Sequence, residues 1–272
     1  MEGEEVRRAK QRSRESSVHS VDPYGFERPA DFDYTTYEEF FSRYLVVLTR
    51  RAIKWSKLLK GNTRVQKNIK VKRYIRKGIP NEHRAEVWMV VSGARSHMDH
   101  NPGYYQKLLE GDQNSKLVET IITDYYSPEM MGLKIDQDVL GHLVKMKNPA
   151  VAELMEKHGN LWTLVASRWF ICLFIDILPV ETVLRIWDCL FYEGSKIIFR
   201  VALTLIKQHQ DFILEAKNFP EICEKFKQIT TGPFVTECHI FMQKIFTEPG
   251  SLRMTTINKL RDTCRANLTA SV

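Results

Sequence analysis

Three charged side chains lie inside otherwise apolar stretches of the chain, namely Arg168, Arg185 and Asp188. A guanidinium in such a position could act as a catalytic finger that neutralises charge developing on a transferring phosphoryl group. It could instead be structural, in an ion pair or a carbonyl contact that fixes helix packing, because a buried charge needs a partner. We interpret all three as structural, and we predict no catalytic residue in the chain.

The sequence lacks the motifs of nucleotide-binding proteins, of hydrolases and of common metal sites. The chain has no Gly-rich phosphate loop, no Gly-x-Ser-x-Gly and no His-Glu-x-x-His, which argues against nucleotide binding by the chain itself and against a hydrolase. Residues 136–141 resemble the start of an EF-hand, but its twelfth position is Lys147, where a bidentate carboxylate is needed. His97 and His100 have no third ligand beside them. We therefore predict no metal site and no cofactor.

The net charge of +7 over 272 residues is unevenly distributed. Residues 42–77 contain thirteen Lys and Arg and no Asp or Glu, which leaves 27 basic against 33 acidic residues elsewhere. An anionic partner should therefore be sought at this basic segment. We expect that partner to be a membrane surface and expect no nucleic acid.

The cysteines and the N-terminal sequence indicate where in the cell the protein lies. The five cysteines, at positions 172, 189, 223, 238 and 264, form no Cys-x-x-Cys pair and indicate reduced, mostly buried thiols. The first fifteen residues are charged throughout and contain no apolar signal core. We predict a cytoplasmic protein, peripheral on endomembranes where its basic segment attaches to them.

The N-terminal part of the chain predicts a tail followed by a long helix. Residues 1–21 are charged and serine-rich, which is typical of a disordered tail. Thr35 and Glu38 have the spacing of a capping box, and the helix should end near residue 61. Four cations on the face opposite the apolar stripe either form a solvated surface or bind an anionic one. The apolar stripe comprises Tyr37, Phe40, Phe41, Tyr44, Leu45, Leu48, Ala52, Trp55 and Leu59, and the four cations are Arg43, Arg50, Lys54 and Lys57.

Helical spacing continues along the rest of the chain. Residues 161–178 are apolar nearly all round and predict one core helix. Pro179 and Gly194 bracket the helix after it. No segment alternates with period two for long enough to predict a strand, so the fold class is all-α. We predict an N-terminal helical segment over 22–77, a central domain over 78–194 and C-terminal helices over 195–268.

Motifs at both ends of the predicted central domain occur in the order found in one known family. Together they resemble the TBC domain, the module that activates Rab-type small GTPases, and this resemblance implies an all-helical TBC-type fold. It also implies a GTP-bound Rab-type GTPase as partner. The motif residues, which the resemblance implies are structural or face the GTPase, are Gly78, Pro80, Arg84, Trp88, Arg168, Trp169, Pro179, Arg185, Trp187, Asp188 and Gly194.

The residues that perform the family's chemistry are missing. The family carries an Arg in an Ile-x-x-Asp-x-x-Arg motif and a Gln in a Tyr-x-Gln-Gly motif. Here Ile121 and Asp124 are followed by Ser127 in place of the Arg, a second start at Ile135 ends on Gly141, and no glycine follows a glutamine. The region 122–125 has the character of a join at which the central helices of the domain have been left out, as a skipped exon would do.

Three hypotheses follow from the missing residues. The chain is a GTPase activator of impaired activity, a non-catalytic scaffold for a GTPase or a membrane, or a poorly folded splice product. The last predicts that the absent helices leave apolar side chains uncovered. These side chains are Val87, Trp88, Val91, Trp169, Phe170 and Phe174.

Overall fold

The structure is a computed structural model that describes residues 32–60, 65–104, 106, 125–126 and 129–270. The predicted tail over 1–21 lies outside these residues, and so do Ile121, Asp124 and Ser127. The described residues divide into two units between Thr49 and Arg50.

The described part of the chain is helical and contains no strand, which confirms the all-α prediction. None of its helices combines the length and the hydropathy needed to cross a bilayer. The helices are α1 (Tyr34–Leu59), α2 (Ile69–Lys77), α3 (Asn81–Ser92), α4 (Ala94–His100), α5 (Met131–Lys147), α6 (Pro149–Lys157), α7 (Trp162–Ile171), α8 (Val180–Glu193), α9 (Lys196–Gln208), α10 (Gln210–Leu214), α11 (Phe219–Gln228), α12 (Pro233–Thr236), α13 (Cys238–Thr247) and α14 (Met254–Ala270).

Helix α1 begins two residues earlier than the capping box predicted. Asp33 caps it, since its carboxylate accepts hydrogen bonds from the backbone N–H of Thr36 at 3.0 Å and from its hydroxyl at 2.5 Å. These bonds lower the pKa of Asp33. A carboxylate at the N-terminus also complements the helix dipole. The prediction of a box formed by Thr35 and Glu38 was therefore wrong.

The apolar stripe of α1 faces inward in its first half with one exception. Phe40 and Tyr44 are buried, and their rings stack with centroids 5.3 Å apart. Leu45 is 52% exposed, so its assignment to the buried face was wrong. It adjoins Tyr44 in sequence and so points about 100° away on the helix.

The main core lies in the second unit around α9, in which nine of thirteen residues are buried. The ring of Phe199 in α9 meets that of Phe170 in α7 edge-on at 5.6 Å. Trp169 packs on Phe226 of α11 at 5.9 Å. The expectation of six uncovered apolar side chains was wrong, because α8 packs on α3, and α5, α9 and α11 pack on α7. Val87, Val91, Trp169, Phe170 and Phe174 are buried, and Trp88 is partly buried against the core.

The predicted single helix over 161–178 was also wrong, since α7 ends at Ile171. Leu173, Phe174 and Asp176 have positive φ of 50°, 68° and 58°, which breaks the helix into turns. Two hydrogen bonds hold these turns, from Phe174 N to the Trp169 carbonyl at 2.9 Å and from Trp187 Nε1 to the Leu173 carbonyl at 3.1 Å. These turns lead to Pro179, which directly precedes α8.

An ion pair joins the last helix to α5. Arg261 of α14 donates to both oxygens of the buried Asp136, at 2.7 and 2.9 Å, and also to Ser195 Oγ at 3.0 Å. Tyr125 donates to the same carboxylate at 3.0 Å. Asp136 is thus fully engaged by protein donors, which fits the rejection of an EF-hand at this position.

Candidate functional site

Two of the motif residues, Arg84 and Trp88, meet around the carboxylate of a third, Asp188 on α8. Asp188 is fully buried and accepts three hydrogen bonds of 2.9 Å, from Ile79 N, Arg84 Nε and Trp88 Nε1. Pro80 fixes the chain just before α3 with φ of −58°, and Arg84 and Trp88 lie one turn apart on that helix. A single side chain of α8 therefore holds both the start and one face of α3. We call this set, Ile79, Arg84, Trp88 and Asp188, the Asp188 lock.

Within the lock, Asp188 and Arg84 form a buried ion pair. Burial raises the pKa of Asp188, and the guanidinium of Arg84 opposes that shift. Arg84 also donates to the Ile79 carbonyl at 2.9 Å and to Asn81 Oδ1 at 3.1 Å. A guanidinium with so many internal acceptors has little capacity left for an external phosphate. The lock is built to position helices.

Gly78 occupies a position where an added side chain would be strained and crowded. It ends α2 with φ of 104°, and its carbonyl accepts from Trp55 Nε1 at 3.0 Å. A Cβ built on it would lie 2.6 Å from Arg185 Nε and 2.8 Å from Arg51 Nη1. Arg185 is buried as predicted, and its Nη2 donates to the Arg76 carbonyl at 2.9 Å. Glycine thus lets two guanidinium groups approach the end of α2.

Replacing this glycine should be costly. We expect Gly78→Ala to lower the free energy of unfolding by about 2 to 4 kcal/mol, from positive-φ strain plus displacement of Arg185. Urea denaturation followed by circular dichroism measures the change. Gly93→Ala is the matched control, since Gly93 has φ of 91° but no atom within 4 Å of an added Cβ. Equal losses in the two variants would show that the close approach of Arg185 does not contribute to the free energy of unfolding lost in Gly78→Ala.

A second charged centre lies at the end of α8. The side chain of Glu193 is 2% exposed and receives Arg76 Nε at 2.5 Å and Nη2 at 2.8 Å. Lys72 and Lys196 lie 3.3 and 3.0 Å from it. Burial by itself raises the pKa of Glu193, but the hydrogen bonds from Arg76 and Lys196 outweigh it and lower the pKa to about 2. Gly194, with φ of 80°, ends α8 directly after it.

The pKa of Glu193 predicts a pH-dependent contribution to stability. A carboxyl whose pKa is lowered on folding stabilises the fold above its unfolded pKa and loses that effect as pH falls through the folded pKa. We expect Glu193→Gln to lose about 2 kcal/mol at neutral pH, allowing for the partial exposure of Lys72 and Arg76. The difference from the parent chain should shrink from about pH 4.5 down to about pH 2.

Urea titrations at several pH values test this dependence, with the exposed Glu86→Gln as a control for the loss of one negative charge. A Glu193→Gln deficit that stays constant down to about pH 2 would contradict it.

The remaining motif residues lie apart from the Asp188 lock or at its edge. Trp187 approaches Trp88 with ring centroids 6.0 Å apart, and Trp169 belongs to the core near α11. Arg168 is exposed, so its interpretation as an internal ion pair was wrong. Its neighbour Trp169 points into the core, and adjacent residues on a helix point about 100° apart, so Arg168 points towards solvent.

The predicted basic face is exposed at all four positions, which are Arg43, Arg50, Lys54 and Lys57. Sequence reasoning did not find the roles of Trp55 and Glu193. A tryptophan in an apolar stripe and a glutamate at a helix end gave no signal that would set them apart from ordinary helix residues.

The chain matches the sequence profile of the Rab-GTPase-TBC domain over residues 115–214. It is 54% identical to Growth hormone-regulated TBC protein 1 of Mus musculus over 344 residues, covering 93% of this chain and 96% of that protein. The Rattus norvegicus protein of the same name is 59% identical over 274 residues, covering 93% and 95%. The crystal structure of the Chlamydomonas flagellar RabGAP TBC domain superimposes with a TM-score of 0.62 at 24% identity, covering 85% of this chain and all of that one, which shows the fold alone.

These matches define a helical protein of the TBC class, and the resemblance inferred from the motifs is confirmed. The chain belongs to the Rab-GTPase-TBC domain family. Within that family it is similar to the growth hormone-regulated TBC proteins over nearly its whole length.

Proposed function

We propose that this chain binds the GTP-bound form of a Rab-type small GTPase and is impaired in stimulating GTP hydrolysis. One observation carries the proposal: the 272 residues contain neither Ile-x-x-Asp-x-x-Arg nor Tyr-x-Gln-Gly. The family resemblance supplies the partner, and the missing motifs limit what the chain does to it.

The impairment follows from how such activators work. An arginine supplied in trans neutralises charge on the transferring phosphoryl group, and a glutamine orients the attacking water. An arginine finger is worth roughly 10³ to 10⁵ in rate. Tighter binding cannot replace it, because binding the ground state and the transition state equally leaves kcat unchanged.

The remaining motif arginines support the same view. Arg84 and Arg185 are 8% and 1% exposed and donate to groups inside the domain. Withdrawing either one towards a nucleotide would leave a buried carboxylate or carbonyl without its donor, which is strongly unfavourable. Arg168 is exposed on α7, and we assign it a contact with the GTPase surface.

The alignment lengths support an internally shortened domain. The alignment with the mouse relative runs over 344 residues, at least 72 more than the 272 of this chain, so that relative has internal positions with no counterpart here. The alignment with the rat relative runs over only 274. We propose that the difference lies at the join near 122–125, within the central domain predicted over 78–194.

An anionic membrane surface is the second proposed partner. Arg50, Lys54 and Lys57 are exposed at the spacing i, i+4 and i+7 on the part of α1 that belongs to the second unit, so these three side chains share one helix face that an anionic surface can approach. Arg43, in the first unit, is exposed as well. Cations near a membrane of anionic lipid contribute roughly 1 kcal/mol each. This partner would place the protein on the cytoplasmic side of endomembranes.

A binding panel tests the proposed partner. Rab-type GTPases loaded with a non-hydrolysable GTP analogue or with GDP are immobilised, and the full chain is passed over them. We expect at least one GTPase to be bound with preference for the GTP form, and Arg168→Ala to weaken that binding several-fold. The exposed Arg95→Ala serves as the matched control. Failure to bind any member of the panel would overturn the proposal.

A further inference from the structure

The cluster around Glu193 carries more positive charge than its carboxylate can balance. Lys72, Arg76 and Lys196 all lie within 3.3 Å of this one acidic group. One negative charge balances one of the three, which leaves two positive charges at the junction of α2 with α8 and α9. Because the pKa of Glu193 is low, this count is fixed at neutral pH.

The surroundings add to the excess. Helix α2 contains five cations and no acidic residue. Just before α2, Lys67 lies 5.5 Å above the ring of Tyr192, whose hydroxyl donates to the Asn68 carbonyl. On the inner side, Arg76 and Arg200 both lie over the ring of Phe246, at 3.9 and 5.8 Å. A guanidinium or ammonium group therefore borders the cluster on several sides.

The cations are held in place but still reach solvent. The side chains of Lys72, Arg76 and Lys196 are 37%, 36% and 21% exposed. Glu193 fixes one end of each side chain, which lowers the entropy lost when an external anion binds. Arg and Lys together suit phosphate, since Arg offers a planar fork and Lys a compact charge.

An exposed apolar residue on the same stripe of α2 points to a bilayer. Ile69 is 72% exposed and shares a helix face with Lys72 and Arg76, at the spacing i, i+3 and i+7. A soluble anion makes no apolar contact with that side chain, whereas a lipid head group lies next to the apolar boundary of the bilayer, which the side chain can enter.

We propose that Lys72, Arg76 and Lys196 bind the head group of a membrane lipid that carries two or more phosphates, with Ile69 entering the apolar boundary beside it. The two unbalanced charges match such a head group better than a lipid of single charge. This inference rests on the proposed contact with anionic membranes. It adds to that contact a lipid preference and a binding site for the head group, distinct from the basic face of α1.

Vesicle flotation with the full chain tests the proposal. Three vesicle types are compared: phosphatidylcholine alone, phosphatidylcholine with phosphatidylserine, and phosphatidylcholine with phosphatidylinositol 4,5-bisphosphate, the last two matched in total negative charge. We expect binding to the bisphosphate vesicles to be at least about tenfold tighter than to the phosphatidylserine vesicles, and to weaken with salt.

Variants locate the site. Lys72→Ala with Lys196→Ala leaves the bidentate Arg76–Glu193 pair that joins α2 to α8, and we expect it to lower bisphosphate binding by about tenfold or more. Lys134→Ala with Lys157→Ala removes the same charge from exposed positions elsewhere and should change binding less than about twofold. Ile69→Ala and Lys196→Ala alone provide milder changes, and thermal melts verify folding of every variant.

The outcomes separate the possibilities. Equal binding to the two charge-matched vesicles would overturn the head-group site and leave the general membrane contact standing, whereas no binding to any anionic vesicle would overturn both. Soluble inositol trisphosphate that binds as tightly as vesicles, with no effect of Ile69→Ala, would replace the lipid by a free phosphate ligand. The GTPase panel is scored separately with the same double-lysine variant, whose GTPase binding should be unchanged.

Discussion

The purified chain is expected to leave GTP hydrolysis by Rab-type GTPases within about tenfold of the intrinsic rate, against roughly 10³ to 10⁵ for a supplied arginine finger. That shortfall corresponds to about 4 to 7 kcal/mol of transition-state stabilisation. It arises because the chain lacks the Arg and Gln motifs while Arg84 and Arg185 are held inside the domain. Single-turnover phosphate release across a panel of GTPases measures it.

A TBC-domain protein that retains both motifs should stimulate the same GTPases in the same assay, which establishes that the panel is active. Stimulation of about a thousandfold by this chain would contradict the prediction. Arg168→Lys would then be tested before Arg185→Lys, because Arg168 is exposed and Arg185 is buried.

Removing the central carboxylate of the Asp188 lock should have the largest effect on stability. Asp188→Ala leaves the guanidinium of Arg84 buried without its counter-charge and deprives Ile79 N and Trp88 Nε1 of their acceptor. Losing one member of a buried pair costs about 3 to 5 kcal/mol. That is a large part of a typical domain stability of about 5 to 15 kcal/mol, so we expect a markedly lower urea midpoint.

Glu156→Ala is the matched control for Asp188→Ala. It removes a carboxylate that meets Lys145 at 2.8 Å on the surface, with side chains 47% and 65% exposed, and should cost less than about 1 kcal/mol. A double variant with Arg84→Ala should lose much less than the sum of the two single losses, since neither then leaves a bare charge. A loss below about 1 kcal/mol for Asp188→Ala would show that the carboxylate does not hold α3.

Local signals in the sequence were sufficient for some features of the fold and of the site. Pro179 and Gly194 bracket α8 as predicted, and α1 ends at Leu59, close to the predicted glycine. These features depend on residues only a few positions apart. The burial of Arg185 and Asp188 was also foreseeable, because both interrupt an apolar helix face.

Features that depend on distant residues were not predicted. Apolar composition gave no sign that the chain would leave the helix after Ile171, where the turn at Leu173 is held by Trp187, fourteen residues beyond Leu173. Glu193 becomes a charge centre only because α2 lies beside α8 in space. Arg168 differs from Arg185 in exposure for a similar reason, since helix periodicity fixes relative directions and only packing decides which direction is inside.

The Asp188 lock joins residues about a hundred positions apart, from Ile79 and Arg84 on one side to Asp188 on the other. The entropy of closing such a loop grows only with the logarithm of its length, so that doubling the intervening chain costs about 0.6 kcal/mol. Removing one partner of the buried pair in the lock costs about 3 to 5 kcal/mol, several-fold more than that difference. We therefore expect α3 and α8 to meet in the same way when helices are inserted or removed between them, so that a domain closed in this way can vary in length through its middle while keeping its ends together.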